Sequence, residues 1–324
     1  MVALTENVAL ASSSSGTRRA PSQIGDRIFR MAALVSALLV LAVLAGILAS
    51  IAYGGWPAFR EFGPGFLASS AWNVGREEYG ALVAIIGTLV SAFLALVIGV
   101  PISLGIAIYL TQLAPGWARR PVAMTIELLA AVPSIIYGMW GLFVFAPLFA
   151  RFVQVPVSNL VEGMPVVGTL LYAQVPSGVG VLTAGIILAI MIVPFVASIT
   201  RDMLDQIPTV LRESAYGIGC TTWEVVRHVL LPQASVSIIG AIMLGLGRAL
   251  GETMAVTFVI GNANRLSASV FDPGSTIASR IANEFNEADG MQLHALMALG
   301  CILFVITFLV LIVARLLVRR AKVA

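Results

Sequence analysis

Six apolar segments, each long enough to cross a bilayer, alternate along the chain with shorter polar segments. A spanning helix needs about 20 mostly apolar residues, and hydrocarbon does not tolerate backbone N–H and C=O groups that lack partners. The pattern predicts spans at about residues 31–53, 81–110, 122–150, 179–200, 236–260 and 293–314, with a kink at Pro101 in the second. The predicted fold class is therefore an all-α polytopic membrane protein.

The composition agrees with a chain that lies mostly in lipid. Of its 324 residues, 59% are hydrophobic and 11% are charged, and the mean hydropathy is +0.98. Soluble domains carry about 25% charged residues. The first apolar segment is longer than the ~7–15 residues of a secretory signal, so it is predicted to be an anchor. The Ser-rich residues 1–30 are predicted to be a disordered cytoplasmic tail.

The distribution of basic residues predicts the orientation. Cytoplasmic segments carry an excess of Lys and Arg. If both termini are cytoplasmic, 13 of the 19 basic residues lie inside and five lie outside, namely Arg60, Arg76, Arg151, Arg265 and Arg280. Residues 54–80 then form an extracytoplasmic loop. Residues 81–318 form a transmembrane core that includes a cytoplasmic loop at 201–232, and residues 319–324 form a cytoplasmic tail.

Two charged residues interrupt the fifth apolar segment, in the stretch GLGRALGETMAV at residues 245–256. An arginine near mid-membrane costs ~2.5–3.5 kcal/mol on insertion scales, and ionisable groups at that depth usually have a function. Arg248 precedes Glu252 by one turn, which is the less favourable order for a helical pair. Gly247 and Gly251 have a close-packing spacing. The charges are therefore predicted to lie at a crowded helix interface or on an aqueous path.

The loop at residues 201–232 predicts two short helices joined by a tight turn. Pro208 suits the first turn of a helix, and Gly219 suits a left-handed cap at its end. Thr221 and Glu224 have the spacing of a capping box, which predicts the start of a second helix. Pro232 is predicted to end that helix. Capping chemistry alone is equally compatible with an amphipathic loop on the bilayer surface.

Metal and catalytic chemistry find little support in the sequence. No two of the residues Cys220, Cys301, His228 and His294 have the sequence spacing of a known metal-binding motif, which argues against a metal site. No HExxH motif, paired intramembrane aspartates or nucleophile with a nearby base is present. The single lysine, Lys322, follows no glycine-rich phosphate loop. Transport would then draw energy from an ion gradient or from a separate ATPase.

The same loop contains a motif that resembles the EAA motif, EAA-x3-G-x9-I-x-L-P, of the membrane subunits of binding-protein-dependent ABC importers. Its residues here are Glu213, Ser214, Ala215, Gly219, Val229, Leu231 and Pro232. Serine replaces the second residue and valine replaces the isoleucine. The resemblance implies a coupling helix that docks on a cytoplasmic ATPase, with a contact at the Glu213 turn, a hinge at Gly219 and a stop at Pro232.

Further stretches resemble the phosphate-specific ABC permeases, from about residue 60 to the C-terminus. They are FGPGFL (62–67), YGALVAIIGTLV (79–90), IELLAAVPSIIYGMWG (126–141), RALGETMAV (248–256) and STIASRIANEFNEA (275–288). FGPGFL and Glu127 are more similar to PstC-type than to PstA-type permeases. The resemblance implies one N-terminal helix followed by the five-helix core of type I ABC importers.

The resemblance also implies a set of partners in the bacterial cytoplasmic membrane. These are a PstA-type second permease, a PstB-type ATPase dimer that binds ATP and Mg²⁺, a PstS-type phosphate-binding protein and inorganic phosphate. No cofactor in this chain and no nucleic acid is implied. A permease for another oxyanion such as sulfate, or an ion-coupled secondary transporter, is the alternative reading. We find no convincing internal repeat, which a secondary transporter often has.

Candidate site residues follow from the charges and from the resemblance together. A guanidinium matches the geometry of phosphate, so Arg248 is predicted to contact the passing anion. Glu252 is predicted to set the position of the Arg248 side chain and the net electric field at the site. Glu127 in the predicted third span is a third candidate. A structural salt bridge that involves Arg248, Glu252 and Glu127 is the alternative. Residues 275–288, with Arg280, Glu284 and Glu287, form either a contact for the binding protein or a solvated surface helix.

Overall fold

Six helices of the computed structural model are long and apolar enough to cross a membrane. The structure describes the backbone of residues 23–321 and the side chains of residues 25–316. The candidate spans are Gly25–Phe62, Leu82–Leu113, Ser134–Val161, Val181–Asp205, Thr222–Gly251 and Gly290–Leu316. Strand structure in the described residues is limited to two short strands, so the predicted all-α polytopic class with six spans is confirmed.

The helices are α1 (Gln23–Phe62), α2 (Gly65–Ala68), α3 (Leu82–Ile108), α4 (Gly116–Ala130), α5 (Ser134–Trp140), α6 (Ala146–Phe149), α7 (Val155–Val161), α8 (Val167–Leu171), α9 (Val181–Asp205), α10 (Thr209–Gly217), α11 (Thr222–Val225), α12 (Leu231–Gly251), α13 (Met254–Val259), α14 (Ile277–Glu284) and α15 (Gly290–Ala321). Strands β1 (Trp72–Asn73) and β2 (Glu78–Tyr79) form an antiparallel hairpin in which Trp72 pairs with Tyr79.

The chain divides at Ser50 into two compact units. The described part of the first unit, residues 23–50, is the N-terminal part of α1, and residues 51–321 are the described part of the second. Helix α1 begins before the predicted span 31–53 and continues beyond it to Phe62. The predicted tail 1–30 is therefore helical from residue 23, and its first 22 residues lie outside the described residues. Polar flanks continue a helix that an apolar run starts, because each further turn adds backbone hydrogen bonds.

Helices α3 and α9 run side by side in the same direction and form the centre of the second unit. A Cβ at Gly185 would lie 2.7 Å from the Leu94 side chain, and one at Gly99 would lie 3.1 Å from the Ile192 side chain. The Ser103 hydroxyl of α3 also contacts the carbonyl oxygen of Val193 on α9 at 3.3 Å. In a bilayer such small residues let helices approach closely, since lipid offers little hydrophobic drive for association.

The two ends of the second unit are distinguished by separate apolar clusters. At the α10–α11 end, Leu204 of α9 packs with Ala215, Val225 and Leu230. At the opposite end, which we call the α14 end, Phe66 and Tyr79 pack with Ile277 of α14 and with the first turns of α15. The α10–α11 pair and the hairpin with α14 are therefore held at opposite ends of the bundle.

Four π-helical turns in the described residues each end two residues before a proline. They are Tyr109–Leu113, Gly141–Phe145, Ala150–Gln154 and Val226–Leu230, and the prolines are Pro115, Pro147, Pro156 and Pro232. Proline lacks an N–H, and its ring clashes with the carbonyl group four residues earlier. A π-turn opens the helix at that point. The helix therefore continues through Pro232 into α12, and the prediction that Pro232 ends it is wrong.

The predicted third span, 122–150, is also wrong in its bounds. Helix α4 ends at Ala130, and α5 begins at Ser134, after Pro133. Proline disfavours the helical conformation in the residue before it, which explains the break. The membrane-length helix is Ser134–Val161, so Arg151 is part of a helix and not of the predicted outer loop. The apolar run at 122–150 joins two separate helices, which hydropathy does not distinguish.

Helix α4 is bound to the end of α9 by two ion pairs. Arg119 pairs with Asp205 at 2.5 Å, and Glu127 pairs with Arg201 at 2.8 Å. Arg201 also contacts the adjacent Asp202 at 2.7 Å. Glu127 therefore belongs to a polar contact at the α10–α11 end and not to the third span.

Helix α14 is not the solvated surface helix that its charge spacing suggests. Its Arg280 is 4% exposed and lies over the Trp72 ring, 4.6 Å from the centroid. The Arg280 guanidinium donates to Glu284 at 3.2 Å, and the Trp72 indole N–H donates to the same carboxylate at 2.8 Å. Burial lowers the pKa of Arg280, and the charge of Glu284 partly offsets this. The hairpin and α14 are thus joined around one buried cation.

Glu284→Gln is expected to lower the thermal midpoint of the purified complex by roughly 4 °C or more, because it leaves the Arg280 cation buried without a counter-charge. The substitution keeps the size of the side chain and an oxygen that accepts from Trp72. Glu287 is exposed and lies three residues further on, so Glu287→Gln is the matched control. Equal midpoints for the two variants would contradict a stabilising role for the pair.

Candidate functional site

The fifth span is interrupted beside its two charged residues. Helix α12 ends at Gly251, and α13 begins only at Met254. Glu252 has extended backbone, with ψ 125°. Its carboxylate accepts from the backbone N–H of Ala255 at 3.2 Å and so caps the first turn of α13. The predicted continuous helix 236–260 is therefore wrong, and Glu252 is not one helical turn beyond Arg248.

This break lies near mid-depth of the bundle. Ala249 and Leu250 pack in a buried cluster with Leu188 and Ile192, which are close to the middle of α9. Irregular backbone at such depth is tolerated only where protein buries it or where it lines a water-filled cavity. Glu252 is half-buried and the neighbouring Gly251 is exposed. The break therefore opens on one side to the surface of this chain.

Arg248 is exposed in the last turn of α12, one turn before the break. The five ion pairs formed by the described side chains include neither Arg248 nor Glu252. Glu127, the third member of the predicted salt bridge, pairs with Arg201 instead. A structural salt bridge within this chain therefore does not explain the guanidinium at this depth.

The glycines around Arg248 do not pack as their spacing suggests. Gly247 and Gly251 have no heavy atom within 4 Å of an added Cβ, so the predicted close packing at these two positions is wrong within this chain. The helices α12 and α9 pack closely at Gly245, since a Cβ there would lie 2.7 Å from the Val196 side chain. The face of α12 that carries Gly247, Arg248 and Gly251 is thus open.

The segment at 201–232 forms the predicted pair of short helices. Gly219 has φ +94°, a conformation that glycine adopts without strain, and it follows α10 as the predicted left-handed cap. Cys220 donates its backbone N–H to Ala215 at 3.1 Å, which closes the turn. The capping box is also confirmed. Both the backbone N–H and the hydroxyl of Thr221 donate to Glu224 at 2.8 Å.

The residues of the EAA-like motif divide between a buried anchor and an exposed surface. Ala215 is buried against Val225 and Leu230, and Leu231 is half-buried. Glu213, Ser214, Gly219 and Pro232 are exposed. Large apolar side chains next to them are exposed as well, among them Val210, Tyr216, Ile218 and Trp223. We call these four residues the apolar coupling patch. The patch was not predicted from the sequence, although the apolar residues that interrupt the polar residues of this segment were a usable signal.

The chain is similar to known membrane transport proteins over most of its length. The family model described as "Binding-protein-dependent transport system inner membrane component" matches residues 99–323. The chain is 53% identical over 306 residues to the "Phosphate transport system permease protein PstC" of Pasteurella multocida, covering 94% of this chain and 95% of that protein. It belongs to the PstC family of permeases.

More distant members of the PstC family match over a similar share of the chain, at lower identity. The "Phosphate transport system permease protein PstC 2" of Mycobacterium tuberculosis is 37% identical over 300 residues, covering 91% of this chain and 92% of that protein. A solved bacterial alginate ABC transporter with its periplasmic protein has a chain of the same fold, with a TM-score of 0.59. That alignment covers 91% of this chain and 97% of the other at 16% identity, so it speaks to the fold alone.

Membership in the PstC family identifies the chain as a multi-pass bacterial membrane protein and a transporter subunit rather than an enzyme. The described residues contain no group of three His, Cys, Asp or Glu side chains that could hold a metal ion. Two features of the site were not apparent from the sequence: the break at Glu252 and Thr253, and the open face of α12. Gly251, a residue type common just after a helix end, followed by Thr253, a residue type favoured at a helix N-cap, was the signal for the break.

Proposed function

We propose that this chain is a membrane subunit of an ATP-driven importer of inorganic phosphate, and that Arg248 contacts the anion during its passage. The observation that carries the proposal is an exposed guanidinium at mid-depth, beside a helix break, with no carboxylate partner among the described residues. Leaving a cation there is costly unless an anion or water meets it.

The chemistry of Arg248 suits a transient phosphate contact. A guanidinium presents two parallel N–H donors to two phosphate oxygens, which an ammonium does not. Glu252 lies near the same break but turns its carboxylate towards Ala255. Its negative charge limits how tightly the site holds a dianion, so that the anion can leave. Glu127, bound to Arg201 at the α10–α11 end, would act on the anion only near its exit.

ATP hydrolysis would be supplied by a partner. The exposed motif residues Glu213, Ser214 and Gly219 and the apolar coupling patch suit docking on a cytoplasmic ATPase dimer of the PstB type, which would bind ATP and Mg²⁺. Because α11 continues through a π-turn into α12, a movement of the docked pair would reach Arg248 along one helix. Pro232 acts in this pathway as part of a continuous helix.

Further partners and the orientation follow from the same assignment. The open side of the helix break, at Arg248 and Gly251, suits a PstA-type second permease, and the α14 end suits a PstS-type phosphate-binding protein. Both termini are assigned to the cytoplasm, because that orientation places 13 of the 19 basic residues inside. The α10–α11 end is then cytoplasmic.

Uptake of labelled phosphate into liposomes that hold the complete complex tests this function. With ATP inside and the phosphate-binding protein outside, we expect uptake that stops when ATP is replaced by a non-hydrolysable analogue. Labelled sulfate with the same components is the matched control, and little uptake is expected. Uptake that persists without ATP would instead indicate an ion-coupled transporter, and equal sulfate uptake would contradict the assignment to phosphate.

A further inference from the structure

A cavity of about 840 Å³ lies between α9, α12 and α15, and along α12 it extends from Gly247 towards the α10–α11 end. Its walls are mostly apolar and include Met203 of α9, Leu244 of α12 and Phe308 of α15. Leu244 and Phe308 are 58% exposed, so the cavity is a groove that opens to the outside of this chain. The volume falls in the range of ~300–1,000 Å³ that is usual for small-molecule sites.

Two glycines of α12 make room for the groove. Gly240 and Gly247 both line it, and neither has a heavy atom within 4 Å of an added Cβ. They are seven residues apart, so they lie two turns apart on one face of the helix. The lining of α12 extends from Ser237 to Gly247, about 15 Å at 1.5 Å per residue. This length is about half of the ~30 Å hydrocarbon core, so it matches a single leaflet.

One positive charge stands at one end of the groove. Arg315 of α15 lines it together with Met203 and Ser237, which lie towards the α10–α11 end. The apolar segment of α15 gives way in the sequence to the basic residues Arg315, Arg319 and Arg320, so this guanidinium is at the level where hydrocarbon gives way to headgroups. Arg315 is exposed, and none of the ion pairs of the described side chains includes it.

We infer that this groove binds an anionic phospholipid of the leaflet at the α10–α11 end, with an acyl chain along Gly240 and Gly247 and the phosphate at Arg315. Basic pockets between transmembrane helices are known to take such headgroups. A helix of a second permease is the competing occupant. It would cross both leaflets and would need a carboxylate opposite Arg315, whereas the groove is one leaflet long. The inference does not depend on which anion is transported.

Native mass spectrometry of the complete complex with phosphatidylglycerol tests the inference, and phosphatidylethanolamine is the zwitterionic control. We expect retained phosphatidylglycerol, with about fivefold weaker retention in Arg315→Gln, because one arginine near a membrane surface contributes about that factor. Gly247→Leu fills the groove and is expected to abolish retention. Gly105→Leu is its matched control, since Gly105 is an exposed glycine of α3 that also has open space at its Cβ. Arg60→Gln is the matched control for the charge.

A photoreactive phenylalanine analogue at Gly240 identifies the occupant directly. Adducts with phosphatidylglycerol are expected, and adducts with a second permease would overturn the inference. Equal retention of both lipids, or retention in Gly247→Leu equal to that in Gly105→Leu, would overturn it as well. These outcomes are separate from phosphate uptake, so a failure here leaves the proposed transport function standing.

Discussion

Replacing Arg248 by alanine is expected to lower ATP-dependent phosphate uptake about 100-fold, while the chain still assembles with its ATPase. Each hydrogen bond from a charged donor contributes about 1.5–3 kcal/mol, and the guanidinium would donate at least two to the passing anion. Arg248 forms none of the ion pairs of the described side chains, so its removal leaves no carboxylate of this chain unpaired. The loss should therefore appear in transport and not in stability.

Arg248→Lys separates charge from geometry. Lysine keeps the positive charge but loses the planar fork, so we expect uptake between that of the wild type and that of the alanine variant. Arg60→Ala, at an exposed arginine in the last turn of α1, controls for loss of a positive charge. If Arg248→Ala lowers the thermal midpoint and uptake together, the residue has a structural role and the proposed contact with phosphate is wrong.

The six spans were predictable because apolar length is a strong constraint in a bilayer. Hydropathy at residues 179–200 is enough to locate α9, since no other structure satisfies the backbone there. The turn at Gly219 and the box of Thr221 with Glu224 were also predictable, because each depends on local chemistry within a few residues. Such features need no knowledge of tertiary contacts.

The errors arise where tertiary contacts decide between local alternatives. An apolar run at 122–150 is equally compatible with one span or with two helices. Pro133 and the ion pair of Glu127 with Arg201 favour two separate helices. The i,i+4 spacing of Arg280 and Glu284 resembles a surface pattern, yet Trp72, distant in sequence, covers the cation. The roles of Arg248, Glu252 and the motif residues remain predictions that the uptake measurements address.

Trp223→Ala is expected to weaken binding of the ATPase about 30-fold or more, and to reduce uptake accordingly. Trp223 is 63% exposed beside Ile218, which is 83% exposed, and both belong to the apolar coupling patch. Large aromatic side chains at the centre of an interface commonly contribute 2 kcal/mol or more to binding. No membrane contact accounts for this patch if α10 and α11 lie in the cytoplasm, so an aqueous protein partner is the occupant that its chemistry favours.

Trp117 offers a matched control, because it is 81% exposed near the Arg119–Asp205 pair at the same end of the bundle but lies on α4, outside the patch. Trp117→Ala should leave ATPase affinity unchanged, as measured by titrating the purified ATPase onto the permease complex. Trp223→Phe retains an aromatic ring and should recover most of the affinity. If the two alanine variants behave alike, the coupling surface lies elsewhere. A movement of the ATPase would then not reach Arg248 through the helix that runs from α11 into α12.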